Sequence, residues 1–425
     1  VASLASAEHG PRAAAGAETP AERCAKDVDF LVETLGEKAG RLLQTKGIDW
    51  KRVSKAFRAE AKKVADEGDH LRLCARLVAR LRDGHAGLDD LKAPWPEEPG
   101  ARDRTGPGVH LVLVGDAVHV RASSPDAKTA GARVGDEVVR IDGVPARKWL
   151  DAKVAETSDL RGYSTDRSAL YAACHHGLLG PRGDAVVFDL KDGKATRRVE
   201  VSRDEGGSTV PIGPLFPPEG LSRIGRQSYG KTAGGMAYVH LRDVPDDLPA
   251  QMDAILAAVG DAPGLVLDMR ANGGGGCDHE AVFGRFVTAG TKWKQYPSAG
   301  PRPYVRPMVV IVDAGTFSAG ETVAGMFKED GRAYLIGESP TAGSSSSKER
   351  VTVPSGLFSV RFSVASNKQR FNGGKGIEGI GVPPHEVVPY DPAELSRGVD
   401  TQVRRAEDLL KKGFPRGKVA WRVPE

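Results

Sequence analysis

The sequence predicts a multi-domain α+β protein with three folded parts in series. A helical segment comes first, a mostly β segment follows, and an α/β segment of ββα units comes last. Three observations carry this. Cys24, Val28, Phe30, Leu31 and Leu35 recur at near-helical spacing, and so do Leu71, Cys74, Leu77, Val78 and Leu81. Strand-type runs such as Ala185 to Leu190 and Thr196 to Val201 mark the middle. From Gly235 onward, strand and helix patterns alternate.

A chain of 425 residues can hold two to four domains with real cores. Apolar content of 40% and charged content of 27% are ordinary for a soluble protein. The net charge of +4 is small for this length and says little about partners. No run approaches the ~18–20 apolar residues of a membrane span. Zinc-finger spacing and RNA-binding motifs are absent, so no nucleic-acid role is expected.

Residues 1–22 are small, polar and Ala-rich, and read as a flexible lead-in of the kind left after signal removal. Residues 23–92 form the helical domain, interrupted at Gly47-Ile48-Asp49-Trp50 with Asp49 as a helix cap. A Pro-rich linker spans 93–103, the β domain 104–203 and a second linker 204–234. Residues 150 to 180 read as a helical insertion in the β domain. The α/β domain spans 235–391, and 392–425 hold a charged outer helix, Pro392 to Lys412, and a tail.

Two segments carry chemistry. The apolar strand Met308 to Val312 runs into Asp313-Ala314-Gly315-Thr316-Phe317-Ser318, and a helical run follows from Glu321. That layout puts Ser318 at a helix N-terminus, where unpaired amides favour negative charge. A serine there can attack a carbonyl while nearby amides stabilise the oxyanion. The plain alternative is an ordinary N-cap. The second segment is the strand Gly264 to Asp268, then Met269-Arg270-Ala271-Asn272 and the four glycines 273–276. Such a run costs chain entropy and packs nothing. It suits a turn facing a ligand, or else a flexible loop. It lacks the spacing of a nucleotide-binding loop.

Together these segments resemble peptidase family S41, which includes C-terminal processing proteases and the tricorn core. The matching stretches are Leu267 to Gly276, Gly315 to Glu321, and Asp330-Gly331-Arg332-Ala333-Tyr334-Leu335-Ile336-Gly337-Glu338. The resemblance spans roughly residues 30 to 390. It implies a ClpP/crotonase-like catalytic fold and Ser318 as nucleophile. In one branch the base is a lysine after the GE strand; here the matching position is Ser344, and Lys348 lies several residues later. In the tricorn-like branch it is a histidine in a DGH segment, which here is Asp83-Gly84-His85. Histidine titrates near ~6.5, so it can take the serine proton and return it to the leaving amine. Glu378, in Glu378-Gly379-Ile380-Gly381-Val382-Pro383, matches the orienting acid. The tricorn-like serine before the histidine is replaced by Gly84. The oxyanion donors implied are the amides of Ala319 and Gly274.

Residues 104–203 resemble a PDZ domain, most closely in Arg133-Val134-Gly135-Asp136-Glu137-Val138-Val139-Arg140-Ile141-Asp142-Gly143. Gly106, Gly108 and Val109 fall where such PDZ-like domains bind a peptide carboxylate and add the peptide as a strand. The resemblance implies a serine endopeptidase acting on unfolded or C-terminally presented polypeptides. No cofactor and no metal are implied, and an extracytoplasmic (periplasmic or secreted) location is expected. Two other readings stay open: a catalytically silent peptide- or hydrophobic-ligand-binding protein, and a Ser/Lys peptidase using Lys348. Cys24 and Cys74 could bridge between neighbouring helices. Cys174 and Cys277 are either a second bridge or free thiols. The donors at 174–176 and 277–279 fit no standard zinc spacing.

Overall fold

The structure, a computed structural model, describes residues 18–96, 103–193, 195–204, 210, 212–367 and 370–417. Residues 1–17 of the expected lead-in and most of the Pro-rich linker lie outside that set. The N-terminal helices are α1 (Pro20–Lys38), α2 (Gly40–Thr45), α3 (Trp50–Ala61) and α4 (Glu67–Ala79). Helix α1 starts three residues before the expected domain boundary. Thr19 caps it: Oγ1 accepts from Glu22 N at 3.2 Å, and Glu22 Oε2 accepts from Thr19 N at 2.9 Å. Asp49 caps α3 as expected, accepting from Arg52 N at 2.9 Å. The helices bury Val28, Leu31, Leu35, Phe57, Leu71 and Leu77 in one core. After α4 the chain turns through Asp83-Gly84-His85 into the short strand β1 (Gly87–Asp89).

The middle part begins with β2 (Arg104–Thr105), β3 (Val109–Val114) and β4 (Ala117–Ser123). Next come α5 (Pro125–Ala130), β5 (Glu137–Ile141), β6 (Val144–Pro145), α6 (Ala146–Leu160) and α7 (Asp166–His176). Strands β7 (Gly180–Pro181), β8 (Ala185–Asp192) and β9 (Ala195–Ser202) complete it. The antiparallel order is β3-β4-β5-β8-β9, with β6 added on β5 and β2 paired with β7. Val186, Phe188 and Leu190 alternate inward from β8 and meet Leu111, Val120, Ala173 and Leu178.

The last part is a seven-stranded sheet with β10 (Ser222–Ile224) and β11 (Gln227–Lys231) at one edge. These two strands correct the expected 204–234 linker. Gln227 is fully buried, and its side chain bonds Asp243 and the Arg242 amide, which fastens the edge to the sheet. Then come β12 (Ala237–His240), α8 (Leu248–Val259), β13 (Leu265–Asp268), α9 (His279–Gly284), the hairpin β14 (Lys292–Trp293) and β15 (Tyr296–Pro297), and β16 (Met308–Val312). Helix α10 (Ala319–Glu329) and β17 (Tyr334–Gly337) lead to a long hairpin, β18 (Ser346–Thr352) and β19 (Ser359–Ser366), and to β20 (Glu386–Val387). Strands β12, β13, β16, β17 and β20 are parallel neighbours, so the loops after β13 and β16 leave from one edge.

Helices α8, α9 and α10 cover one face of that sheet. The expected outer helix is two helices, α11 (Pro392–Ser396) and α12 (Thr401–Lys412). Gly398 at φ 72° breaks the run, and Asp400 caps α12. Nor is α12 merely peripheral: Ala406 and Leu409 bury against Tyr238, Val266, Val309 and Ile311 on the other face. The hairpin joins the N-terminal part instead. β19 pairs with β1, Gly87 opposite Arg361, and Val353, Phe358, Val360 and Phe362 enter the helical core. That shared core brings the DGH turn to the edge of the parallel sheet.

Candidate active site

The nucleophile side is built from two adjacent loops. The buried strand β16 is followed by Asp313, whose Oδ1 accepts from Ala271 N at 2.9 Å and Gly315 N at 3.0 Å. Phe317 N donates to Asn272 O at 2.8 Å. Ser318 then sits at φ 56°, ψ −123°. A non-glycine residue in such a region carries strain of about 1–3 kcal/mol and persists only where its surroundings hold it. Glu321 is one holder: its Oε2 accepts from Ser318 N at 3.1 Å and from Ser344 N at 2.7 Å, and Oε1 accepts from Thr341 Oγ1 and Gly343 N. Burial pushes this carboxyl up to about 8 despite those donors. Gly320 must be glycine for space, since a Cβ there would lie 2.4 Å from Asn272 Oδ1.

The expected second oxyanion donor is otherwise engaged. Gly274 N donates to Asn272 Oδ1 at 2.9 Å. Gly274 is still beside the serine, since a Cβ on it would lie 2.6 Å from Ser318 Cβ. The amides of Ala319 and of Gly275, the next residue, have no hydrogen-bond partner among the described residues.

The base side is assembled from distant segments. His85 Nε2 lies 3.1 Å from Ser318 Oγ. Asp83 shapes the turn: Oδ1 accepts from His85 N at 2.9 Å and Oδ2 from Ser363 N at 2.7 Å. Arg361 Nε donates to His85 O at 3.1 Å, and the imidazole packs on Phe317 with ring centroids 4.6 Å apart. Burial, then the charges of Lys348 and Arg361, lower the His85 pKa to about 4, against the pull of Asp83.

Glu378 reaches the same place. Ligating atoms of Asp83, His85 and Glu378 lie within 4.8 Å of one another. His85 Nδ1 and Glu378 Oε2 are both buried without hydrogen-bond partners. The other oxygen, Oε1, accepts from Lys46 Nζ at 2.7 Å and Ser164 Oγ at 2.8 Å. Burial raises this carboxyl to about 7, opposed by Lys46.

Lys46 and Ser164 carry no sequence signal. Lys46 ends the first helical hairpin and is 5% exposed; its Nζ also donates to Arg82 O at 2.7 Å. Ser164 lies between α6 and α7, in the stretch expected to be an insertion. Its Oγ accepts from Gly84 N at 3.0 Å and Ser344 Oγ at 2.9 Å. It thus ties the Gly84 amide beside the histidine to Glu378. A Cβ on Gly84 would lie 2.4 Å from Ser344 Oγ. The Ser164 loop fits only because Gly162 lacks a Cβ, which would come 2.6 Å from Asp83 O.

Lys348 lies on an exposed stretch of β18. Among the described residues, the side chain bonded to Ser318 Oγ is His85. Gly106, Gly108 and Val109, expected to meet a peptide, are buried; Val109 is in the sheet core and Gly108 O accepts from Ser124 N at 2.7 Å. The four cysteines are free thiols. Cys174 and Cys277 belong to separate cores, so neither a bridge nor a shared metal site joins them.

Residues 235–388 match the model of peptidase family S41. That segment is an S41 domain. A carboxyl-terminal-processing protease of Synechocystis is 30% identical over 308 residues, covering 69% of this chain and 64% of that one. The corresponding Picosynechococcus protease is 26% identical over 302 residues, covering 67% and 64%. Tricorn protease homolog 2 of Streptomyces coelicolor is 25% identical over 416 residues, covering 89% of this chain and 32% of that protein. The chain thus spans about a third to two thirds of the length of these relatives. The fold is also that of mature CPAF, with a TM-score of 0.70 at 14% identity over 92% of this chain and 97% of that one. Among the described residues, no helix is long and apolar enough to cross a membrane.

Proposed function

We propose that this chain is a serine endopeptidase of unfolded or C-terminally presented polypeptides, located outside the cytoplasm. The observation that carries the reading is the 3.1 Å contact between His85 Nε2 and Ser318 Oγ. A depressed His85 pKa keeps the imidazole neutral at working pH, able to accept the serine proton. Ser318 Oγ attacks the peptide carbonyl, and the oxyanion takes the amides of Ala319 and Gly275. His85 then gives its proton to the leaving amine, and water hydrolyses the acyl-enzyme by the reverse path. Glu378 stabilises the imidazolium as its Oε2 closes on Nδ1 in the substrate complex; catalytic hydrogen bonds are often long before substrate binds. Burial of the loop at 106–109 is consistent with a PDZ-like part that takes peptide only after this loop opens.

The test is cleavage of casein by the wild type, Ser318→Ala and His85→Ala side by side. Loss in both variants is expected. Loss in Ser318→Ala alone would shift the base to Lys348. Silence of the wild type would favour the binding protein.

A further inference from the structure

Four donor side chains meet in the core between α1 and α4, away from the active site. Cys24 and Asp27 are three residues apart on α1, and His70 and Cys74 four apart on α4, so each pair shares a helix face. All four are fully buried. Both sulfurs and a ring nitrogen of His70 lie within 4.8 Å of one another. His70 Nε2 is 3.1 Å from Asp27 Oδ2. Asp27 is held in turn by Ser355, whose N reaches Oδ1 at 2.9 Å and whose Oγ reaches Oδ2 at 2.5 Å. Neither ring nitrogen of His70 makes a well-formed hydrogen bond, and Nε2 is the one that faces Asp27. The rest of this core is aliphatic and aromatic, so packing alone gives no reason to gather these groups.

We infer that Cys24, Cys74 and His70 Nδ1 bind a thiophilic d10 ion, Zn²⁺ or Cu⁺, with Asp27 orienting the imidazole. Thiolates are soft ligands that select such ions. A carboxylate on the far ring nitrogen is the usual support of a metal-binding histidine. The two thiols release their protons to solvent as the metal–sulfur bonds form. Zn²⁺ would complete a tetrahedron with one water, whereas Cu⁺ is satisfied by three donors. The bound ion staples α1 to α4, which leads straight into the His85 turn. Through Asp27 and Ser355 it also grips the β18–β19 hairpin that holds β1. The inference stands on this core alone, whether or not the chain cleaves peptides.

The test uses the full chain, reduced and stripped with a chelator. Zn²⁺ and Cu⁺ are titrated in competition with chromophoric chelators, and Co²⁺ is added as a spectroscopic probe. One equivalent per chain is expected, with a thiolate-to-cobalt charge-transfer band; the tighter competitor identifies the ion. Cys74→Ser should abolish the band, Cys277→Ser should retain it, and Asp27→Asn should weaken binding about 10–100-fold. If Cys74→Ser does not fold, the cobalt spectrum of the unmodified chain decides. No stoichiometric binding, a band that survives Cys74→Ser, or a Cys24–Cys74 disulfide mapped in the unreduced protein would overturn the inference.

Discussion

The two sides of the catalytic couple are built differently. Ser318, Glu321, Asn272 and the glycine run come from two loops following neighbouring parallel strands, β13 and β16. Their hydrogen bonds span few residues or cross a single strand pair. The base side draws on Lys46, Asp83, His85, Ser164, Glu378 and the β18–β19 hairpin, so its contacts close loops of up to 332 residues. The nucleophile side should therefore tolerate distant change. The base side should fail whenever any of three parts shifts.

The largest effect expected after the serine and histidine themselves is at Glu378. Glu378→Gln removes the charge opposite the imidazolium while keeping its shape. The loss in kcat/KM should be on the order of 10³–10⁴, as for the acid of other triads. An unchanged rate would mean that Glu378 serves structure only, and steady-state kinetics decides.

Lys46→Met comes next. It leaves a buried carboxyl without its ion-pair partner, a change that typically costs about 3–5 kcal/mol. A lower thermal midpoint and reduced activity are expected together. A variant as stable as the wild type would show that the pair does not hold the base side in place.

Ser164→Ala should be milder. It strips partners from Gly84 N, Ser344 Oγ and Glu378, worth about 1–3 kcal/mol, or roughly 5- to 150-fold if all of it falls on turnover. Adding Gly84→Ser should not rescue it, because the new Cβ would meet Ser344 Oγ. Rescue would mean that the hydroxyl can come from either segment.

The smallest effect concerns Lys348. Its charge disfavours the imidazolium of His85. Lys348→Ala therefore raises the His85 pKa, and the acid limb of the kcat/KM profile moves to higher pH, with the rate at neutral pH nearly kept. A limb that stays put, or activity lost at every pH, contradicts the role given to this lysine.

Much of this asymmetry was legible in the sequence. The strands Met308 to Val312 and Gly264 to Asp268, the serine at a helix start and the glycine run are local patterns, and β16 ends where the apolar run ends. His85 and Glu378 were legible only through family resemblance, since nothing in a DGH turn or an EG turn says what it will face. Lys46 and Ser164 were not legible at all. An ordinary lysine at a helix end becomes an ion-pair partner only once the first and last thirds of the chain pack together. The edge strands β10 and β11 were hidden for a similar reason: Ser222 to Lys231 is polar, and pairing with β12 rather than propensity makes it a strand. The choice of Gly274 over Gly275 turned on one side chain, Asn272, whose direction no spacing reveals.

The central claim is that Ser318 owes its reactivity to His85. The most direct measurement is the rate at which a fluorophosphonate labels Ser318 in the wild type, His85→Ala and Lys348→Ala. Labelling should be lost in His85→Ala and nearly unchanged in Lys348→Ala. Labelling that survives in His85→Ala and disappears in Lys348→Ala would contradict it.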